Sequence, residues 1–376
     1  MKKVWIALLL CISLGIQCFA VTMPEVTAPC AALADENGNI LLEKNAHEKR
    51  SPASVTKIMT MLLTMEAIDA GKIKYDDMVT ASEHACSMGG TQIWLEPGEQ
   101  LSVTDMLKCV AVASANDCAV ALGEHIAGSE EAFVKMMNDR AKALGMEDTH
   151  FVDCTGLTDD EAHVTSAHDI VLMSAELLKH PDIKKFTTIW MDTVRNGEFG
   201  LASTNKMLKK YPGATGLKTG FTRRAMYCIS ATAAKNGMEL IAVIMGAESI
   251  DKRTADASAL LNCGFANYQK IDLAENITMG KIPVRLGARA AVEPVITENC
   301  KLIVENGSGE YRRELTLAEE LIAPVEQGEQ VGILSVYNGD TLVREIPVLA
   351  NTAVERLGFS QVFLKLLGRL TMNQID

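Results

Sequence analysis

Two turn dipeptides set about two hundred residues apart, Asn37-Gly38 and Asn236-Gly237, most constrain what this chain can fold into. Each sits inside a strand-like stretch, "AALADENGNILLEKN" and "MYCISATAAKNGMELIAVIMGA", and marks a β-hairpin with a type I′ turn. Between them the period changes. "VTKIMTMLLTMEAIDAG", "VTDMLKCVAVASANDCAVALGEHIAG" and "SEEAFVKMMNDRAKALG" carry apolar residues at helical spacing, and each stops at or near a glycine. A further helical stretch, "SIDKRTADASALLNCGFANY", follows the second hairpin. Strands at both ends with helices between them predict an α+β domain over residues 21–270, an antiparallel sheet flanked by helices and interrupted by a helical block. Residues 271–350 read as a small all-β domain, with "KLIVENGSGEYRRELTL" and "VGILSVYNGDTLVREIPVL" each built around a turn.

The two ends of the chain read differently from its middle. Residues 1–20, "MKKVWIALLLCISLGIQCFA", have a basic start, a short apolar run and a small final residue, which is the layout of a signal peptide. The run is shorter than the roughly 20 residues that cross a bilayer. Gln17 before Cys18 argues against a lipid-attachment cysteine. At the other end, residues 351–376 place Leu357, Phe359, Val362, Phe363, Leu366, Leu367 and Leu370 on one side of a helix and Gln361, Lys365 and Arg369 on the other. Such an amphipathic helix suits docking on the β domain or lying on a membrane surface, and its terminal position and basic polar face favour the membrane. The expected location is therefore outside the cytoplasm, at the cytoplasmic membrane and cell wall.

A formal net charge of −12 excludes nucleic acid as a natural partner, since phosphate binding needs clustered Lys and Arg. Eight cysteines remain beyond the leader: Cys30, Cys86, Cys109, Cys118, Cys154, Cys228, Cys263 and Cys300. They sit in apolar runs such as "KCVAVA" and "YCISAT" and read as buried free thiols, not as a disulfide framework. His163 and His168 are five residues apart, a spacing that does not set two metal ligands on one helical face, and no metal or cofactor is expected.

The chemistry begins at "SPASVTKIMT". Ser51 followed by Pro52 makes a good helix start, which leaves Ser54 and Lys57 one helical turn apart. A serine hydroxyl is inert at neutral pH, so a nucleophilic serine needs a base within hydrogen-bond reach that can take its proton. The spacing alone discriminates nothing, because "STNK" from Ser203 and "SIDK" from Ser249 repeat it. Context favours Ser54, which opens an apolar helix. Sixty residues on, Ser114 and Asn116 of "SAND" project from a turn between helices, although Ser-x-Asn also suits an ordinary cap. Lys218, Thr219 and Gly220 of "GLKTGF" precede the second hairpin, where a cation, a hydroxyl and a bare backbone suit an anionic, extended ligand along a sheet edge.

Ser-x-x-Lys, Ser-x-Asn and Lys-Thr-Gly in this order make up the motif set of penicillin-binding proteins and class A β-lactamases. With "ASVTKIMT", "SANDCAVAL" and "GLKTGFT", the chain resembles the exported D-alanyl-D-alanine carboxypeptidases, the low-molecular-mass penicillin-binding proteins, over nearly its whole length. The resemblance implies a β-lactamase/transpeptidase-like catalytic domain followed by the small β domain and the amphipathic tail. It implies that Ser54 is the nucleophile, Lys57 its proton acceptor, Ser114 a relay to the leaving group and Asn116 a holder of the substrate amide. Lys218 and Thr219 would bind the terminal carboxylate beside Gly220, with Arg253 assisting. The N–H groups of Ser54 and Phe221 would form the oxyanion hole.

The implied partners are a peptidoglycan stem peptide ending in D-Ala-D-Ala and, as covalent inhibitors, β-lactams. Ala115 stands where the motif has Asp, as is usual in the carboxypeptidase branch. The segment "DCTGLTDDEAHVTSAHD" lacks the Glu-x-x-Leu-Asn that activates water in class A β-lactamases, so a long-lived penicillin adduct is expected. A DD-endopeptidase or β-lactamase of the same fold, or a non-catalytic wall-binding protein, are the alternatives.

Overall fold

The computed structural model describes residues 21–360, 362 and 363, and the chain divides into two compact units, Val21–Tyr268 and one beginning at Gln269. The leader-like residues 1–20 lie outside the described residues, as does most of the expected tail helix. Residues 359, 360, 362 and 363 are helical. Among the described residues no helix is long and apolar enough to cross a membrane.

In the first unit the sheet is assembled from both ends of the segment, as the periodicities predict. The hairpin β1 (Cys30–Asp35) and β2 (Ile40–Lys44) joins a meander of β3 (Ala214–Thr222), β4 (Met226–Lys235) and β5 (Met238–Ala247). The order is β2-β1-β5-β4-β3, antiparallel throughout, so β3 is an edge strand. β5 is buried along its whole length because both faces of the sheet are covered. The period of two sorts the faces. Cys30, Ala32, Ala34, Ile241 and Val243 join the core of the helical block, while Leu33 and Leu240 turn to the opposite face. There they close on Gly264, where a Cβ would stand 2.5 Å from Leu240.

The inserted block comprises α1 (Lys57–Asp69), α2 (Val103–Val112), α3 (Asn116–Ala127), α4 (Glu130–Ala143) and α5 (Ala167–Leu178); α6 (Ile250–Asn267) follows the sheet. Serine oxygens cap α2, α4, α5 and α6, each accepting a backbone N–H three residues on. Of the eight free cysteines six are buried, with Cys86 and Cys263 partly so.

Three local expectations are corrected. Asn236 and Gly237 both adopt positive φ, as a type I′ turn demands, but at Asn37-Gly38 only Gly38 does. The first hairpin closes through a longer loop in which the Asp35 carboxylate accepts from the N–H groups of Asn37 and Asn39. Ser51 does not cap a helix: residues Ala53–Thr56 form a 3₁₀ turn with Pro52 at its N-cap and no side-chain cap bond. The strands of "KLIVENGSGEYRRELTL" flank a turn yet do not pair with each other.

In the second unit Lys301–Glu305 pairs with Tyr268–Asp272, whereas Tyr311–Leu317 pairs with Gln330–Asn338, where Leu315 faces Leu334 of the core. Gln330–Asn338 and Thr341–Ala350 do form a hairpin. Leu334, Val336, Ile346 and Val348 fill an all-apolar core.

Candidate active site

Ser54 lies in the 3₁₀ turn and Lys57 is the first residue of α1, so the tightened turn brings Lys57 Nζ to 3.1 Å from Ser54 Oγ. Lys57 is completely buried, and its Nζ also donates to Asn116 Oδ1 at 2.5 Å and to the Thr155 carbonyl at 2.7 Å. A neutral amine has two N–H groups and one lone pair. As an ammonium, Lys57 donates to all three; once neutral, its two N–H groups are held by Asn116 Oδ1 and the Thr155 carbonyl, which only accept, and the lone pair is left for the Ser54 hydroxyl. Burial pushes the lysine down to about 8, against the opposing pull of Cys154, Asp153 and Asp117.

The turn is held in a close fit. Ala53 adopts φ +49, a left-handed conformation that costs energy in a residue with a Cβ. Gly220 on β3 faces it: a Cβ there would stand 2.7 Å from the Pro52 carbonyl and 3.0 Å from Ser54 N. The third motif thus needs glycine for close approach, with Gly156 closing the other side. A Cβ on Gly156 would fall 1.9 Å from the Ala53 carbonyl.

Ser114 sits between α2 and α3 at φ +67, buried, and ends the apolar helix so that Asn116 can open the next. The Asn116 Nδ2 donates to the Gly89 carbonyl. Lys218 is buried on β3 with its Nζ on the Thr219 carbonyl, and burial, Lys57 and Arg253 together hold it well below the usual lysine range. Thr219 Oγ1 donates to Thr204 Oγ1 at 2.8 Å. Arg253 is buried on α6; its Nη1 donates to the Cys228 carbonyl, while its buried Nε has no acceptor among the described residues. Phe221 is half exposed and its ring lies 4.4 Å from that of Tyr227.

A cleft of about 370 Å³ connects these groups, lined by Ser54, Ser114, Thr219, Gly220, Phe221 and Arg253 among the expected residues. Lys57, Asn116 and Lys218 lie beneath it, fully or nearly fully buried. The sequence reading missed Thr91, Thr204 and Tyr227 on its wall. Thr204 belongs to the "STNK" copy of the motif, so that segment reaches the site through its threonine, not its serine.

The two spare motif copies have ordinary explanations. Ser249 Oγ caps α6 by accepting the Lys252 N–H, and Lys252 pairs with Glu248 on the surface. Ser203 Oγ accepts the Asn205 N–H. His163 is buried, with Nε2 2.8 Å from Thr56 Oγ1, whereas His168 contacts Asp169 and stacks on His47. Among the described residues no group of three His, Cys, Asp or Glu side chains is placed to hold a metal ion.

A serine hydroxyl 3.1 Å from the amine of a fully buried lysine, in a cleft edged by an open β-strand and lined by Arg253, is the geometry that a lysine-activated serine acyl hydrolase requires. Known proteins carry the assignment further. The D-alanyl-D-alanine carboxypeptidase family (peptidase S11) matches residues 17–249, and the C-terminal domain of penicillin-binding protein 5 matches residues 268–356. The chain is 42% identical to the D-alanyl-D-alanine carboxypeptidase DacF of Bacillus subtilis over 342 residues, 89% of this chain and 88% of that protein.

Penicillin-binding protein 5 of Haemophilus influenzae superposes with a TM-score of 0.75 at 29% identity, covering 89% of this chain and all of that one. Penicillin-binding protein D2 of Listeria monocytogenes, solved in an ampicillin-bound form, superposes at 0.59 and 33% identity over 64% of this chain and all of that one. The chain belongs to the D-alanyl-D-alanine carboxypeptidase family and is a serine-type carboxypeptidase of the penicillin-binding protein class.

Proposed function

We propose that this protein removes the terminal D-alanine from peptidoglycan stem peptides through an acyl-enzyme on Ser54. The observation that carries the reading is the 3.1 Å approach of the buried Lys57 Nζ to Ser54 Oγ, with Asn116 Oδ1 and the Thr155 carbonyl there to hold its other N–H groups. Lys57 takes the Ser54 proton as Oγ attacks the carbonyl of the D-Ala-D-Ala bond. Ser114 passes a proton to the departing amine, D-alanine leaves, and water then cleaves the ester and restores Ser54.

The N–H groups of Ser54 and Phe221 stabilise the oxyanion. Asn116 has one N–H left for a substrate carbonyl, since the other is engaged by Gly89. The terminal carboxylate meets Thr219 and Arg253 on the cleft wall, where the unpartnered Nε of Arg253 supports the assignment. Lys218 adds positive potential from beneath. β-Lactams present the same carboxylate and acylate Ser54, and the missing Glu-x-x-Leu-Asn supports a slowly hydrolysed adduct.

The proposal includes a division of labour along the chain. Residues 1–20 direct export, residues 21–270 catalyse, residues 271–350 form the β domain, and residues 351–376 rest on the outer surface of the cytoplasmic membrane. The leader pattern and the amphipathic spacing of the tail support this placement. Incubating the protein with a D-Ala-D-Ala-terminated pentapeptide and measuring free D-alanine tests the activity. Release by the wild type and none by Ser54→Ala is expected, whereas no release alongside rapid penicillin turnover would assign a β-lactamase instead.

A further inference from the structure

We propose that His163 is a positioning residue for acylation, acting through Thr56 to hold the strained turn that presents Ser54. The inference rests on Ser54 being the nucleophile. It starts from a directional chain of hydrogen bonds. The Val152 N–H can only donate, and it donates to His163 Nδ1 at 3.1 Å. That fixes the proton on Nε2, so Nε2–H donates to Thr56 Oγ1 at 2.8 Å. The Thr56 hydroxyl, with its oxygen occupied as acceptor, spends its own hydrogen on the Ala53 carbonyl at 2.9 Å.

The end of the chain is the residue that most needs holding. Ala53 is in the left-handed region immediately before Ser54, and Thr56 immediately precedes Lys57. The Thr56 side chain therefore ties the residue just before Lys57 to the residue just before Ser54. His163 and Thr56 are both fully buried, so no water competes for these bonds. Burial also holds the imidazole below its usual range, which keeps it in the neutral form the chain requires, against the opposing influence of Asp153 and Asp160 and with that of His150 and Arg224. His163 does not line the cleft, and its hydrogen bond towards the Ser54 turn is the one to Thr56.

Two pairs of variants separate positioning from mere packing. His163→Gln returns an amide N–H to the Nε2 position, whereas His163→Asn is too short to reach Thr56. Thr56→Ser keeps the hydroxyl, whereas Thr56→Val keeps the shape and loses it. Stopped-flow acylation by a fluorescent penicillin, read as the acylation rate constant and the preceding dissociation constant, is measured on the folded fraction of each full-length variant. His163→Asn and Thr56→Val are expected to slow acylation about 10- to 100-fold, the scale of a displaced nucleophile, with the dissociation constant within about 2-fold of wild type. His163→Gln and Thr56→Ser are expected to stay within about 3-fold.

Wild-type acylation rates in His163→Asn, or equal losses in both members of a pair, would overturn the proposal. If His163→Asn does not fold, the Thr56 pair decides alone. Mass mapping of the wild-type adduct keeps the underlying reading separate: label away from Ser54 removes that reading, while label on Ser54 with Thr56→Val unimpaired removes only the inference.

Discussion

The same four-residue pattern, serine and lysine three apart, occurs at the start of α1 and at the start of α6, and the two regions put it to opposite uses. At Ser249 the serine is an N-cap whose oxygen faces its own helix, and Lys252 is spent on a surface ion pair with Glu248. At Ser54 a 3₁₀ turn replaces the cap, so the hydroxyl faces the cleft and Lys57 is drawn into a dry interior. Spacing supplies proximity in both places. What differs is the backbone conformation and the dielectric: one serine satisfies an N–H, the other faces a lysine whose charge is disfavoured.

The largest break in that comparison comes from the pair itself. Ser54→Ala should abolish covalent penicillin labelling, and Lys57→Ala should lower the acylation rate by at least about 10³-fold, while Ser203→Ala and Ser249→Ala should label as wild type. Next is Gly220→Ala, whose new Cβ presses on the Pro52 carbonyl and the Ser54 N–H. Displacing the turn should cost about 10²-fold in acylation with the overall fold retained by circular dichroism. The pH dependence sharpens the contrast in dielectric. Because burial lowers Lys57 to about 8, the neutral base is scarce below that pH, and acylation should rise about tenfold per pH unit up to near 8 and level off above it. A rate independent of pH between 6 and 8 would exclude Lys57 as the base. The smallest effect belongs to the cap: Ser249→Ala should cost about 1 kcal/mol of stability, read as a small drop in Tm, with acylation unchanged.

Much of this architecture was legible because period and turn chemistry act locally. The hairpin at Asn236-Gly237, the helices of the inserted block and the break at Ser114 all follow from spacing along the chain. The Asn37-Gly38 dipeptide misleads because the Asp35 carboxylate, two residues before it, takes the loop N–H groups. Strand pairing in the second unit depends on which apolar faces meet across long separations, so "KLIVENGSGEYRRELTL" gave its strands but not their partners.

In the site, the residues of the three motifs stand out in the sequence by type and spacing, and the groups that support them do not. The Thr155 carbonyl, Gly156 and His163 lie in a segment with no periodicity, and they reach Lys57, Ala53 and Thr56 respectively only through the fold. Serine before proline suits a cap, which is why Ser51 reads as one in the sequence. In the structure the turn is closed instead by Thr56 on the Ala53 carbonyl.

Peptide mapping by mass spectrometry of the protein after reaction with penicillin tests the central claim most directly. The account predicts one adduct, on the peptide that contains Ser54, and none on the peptides that contain Ser203 or Ser249. An adduct on either of those serines, or an unlabelled protein, would contradict it.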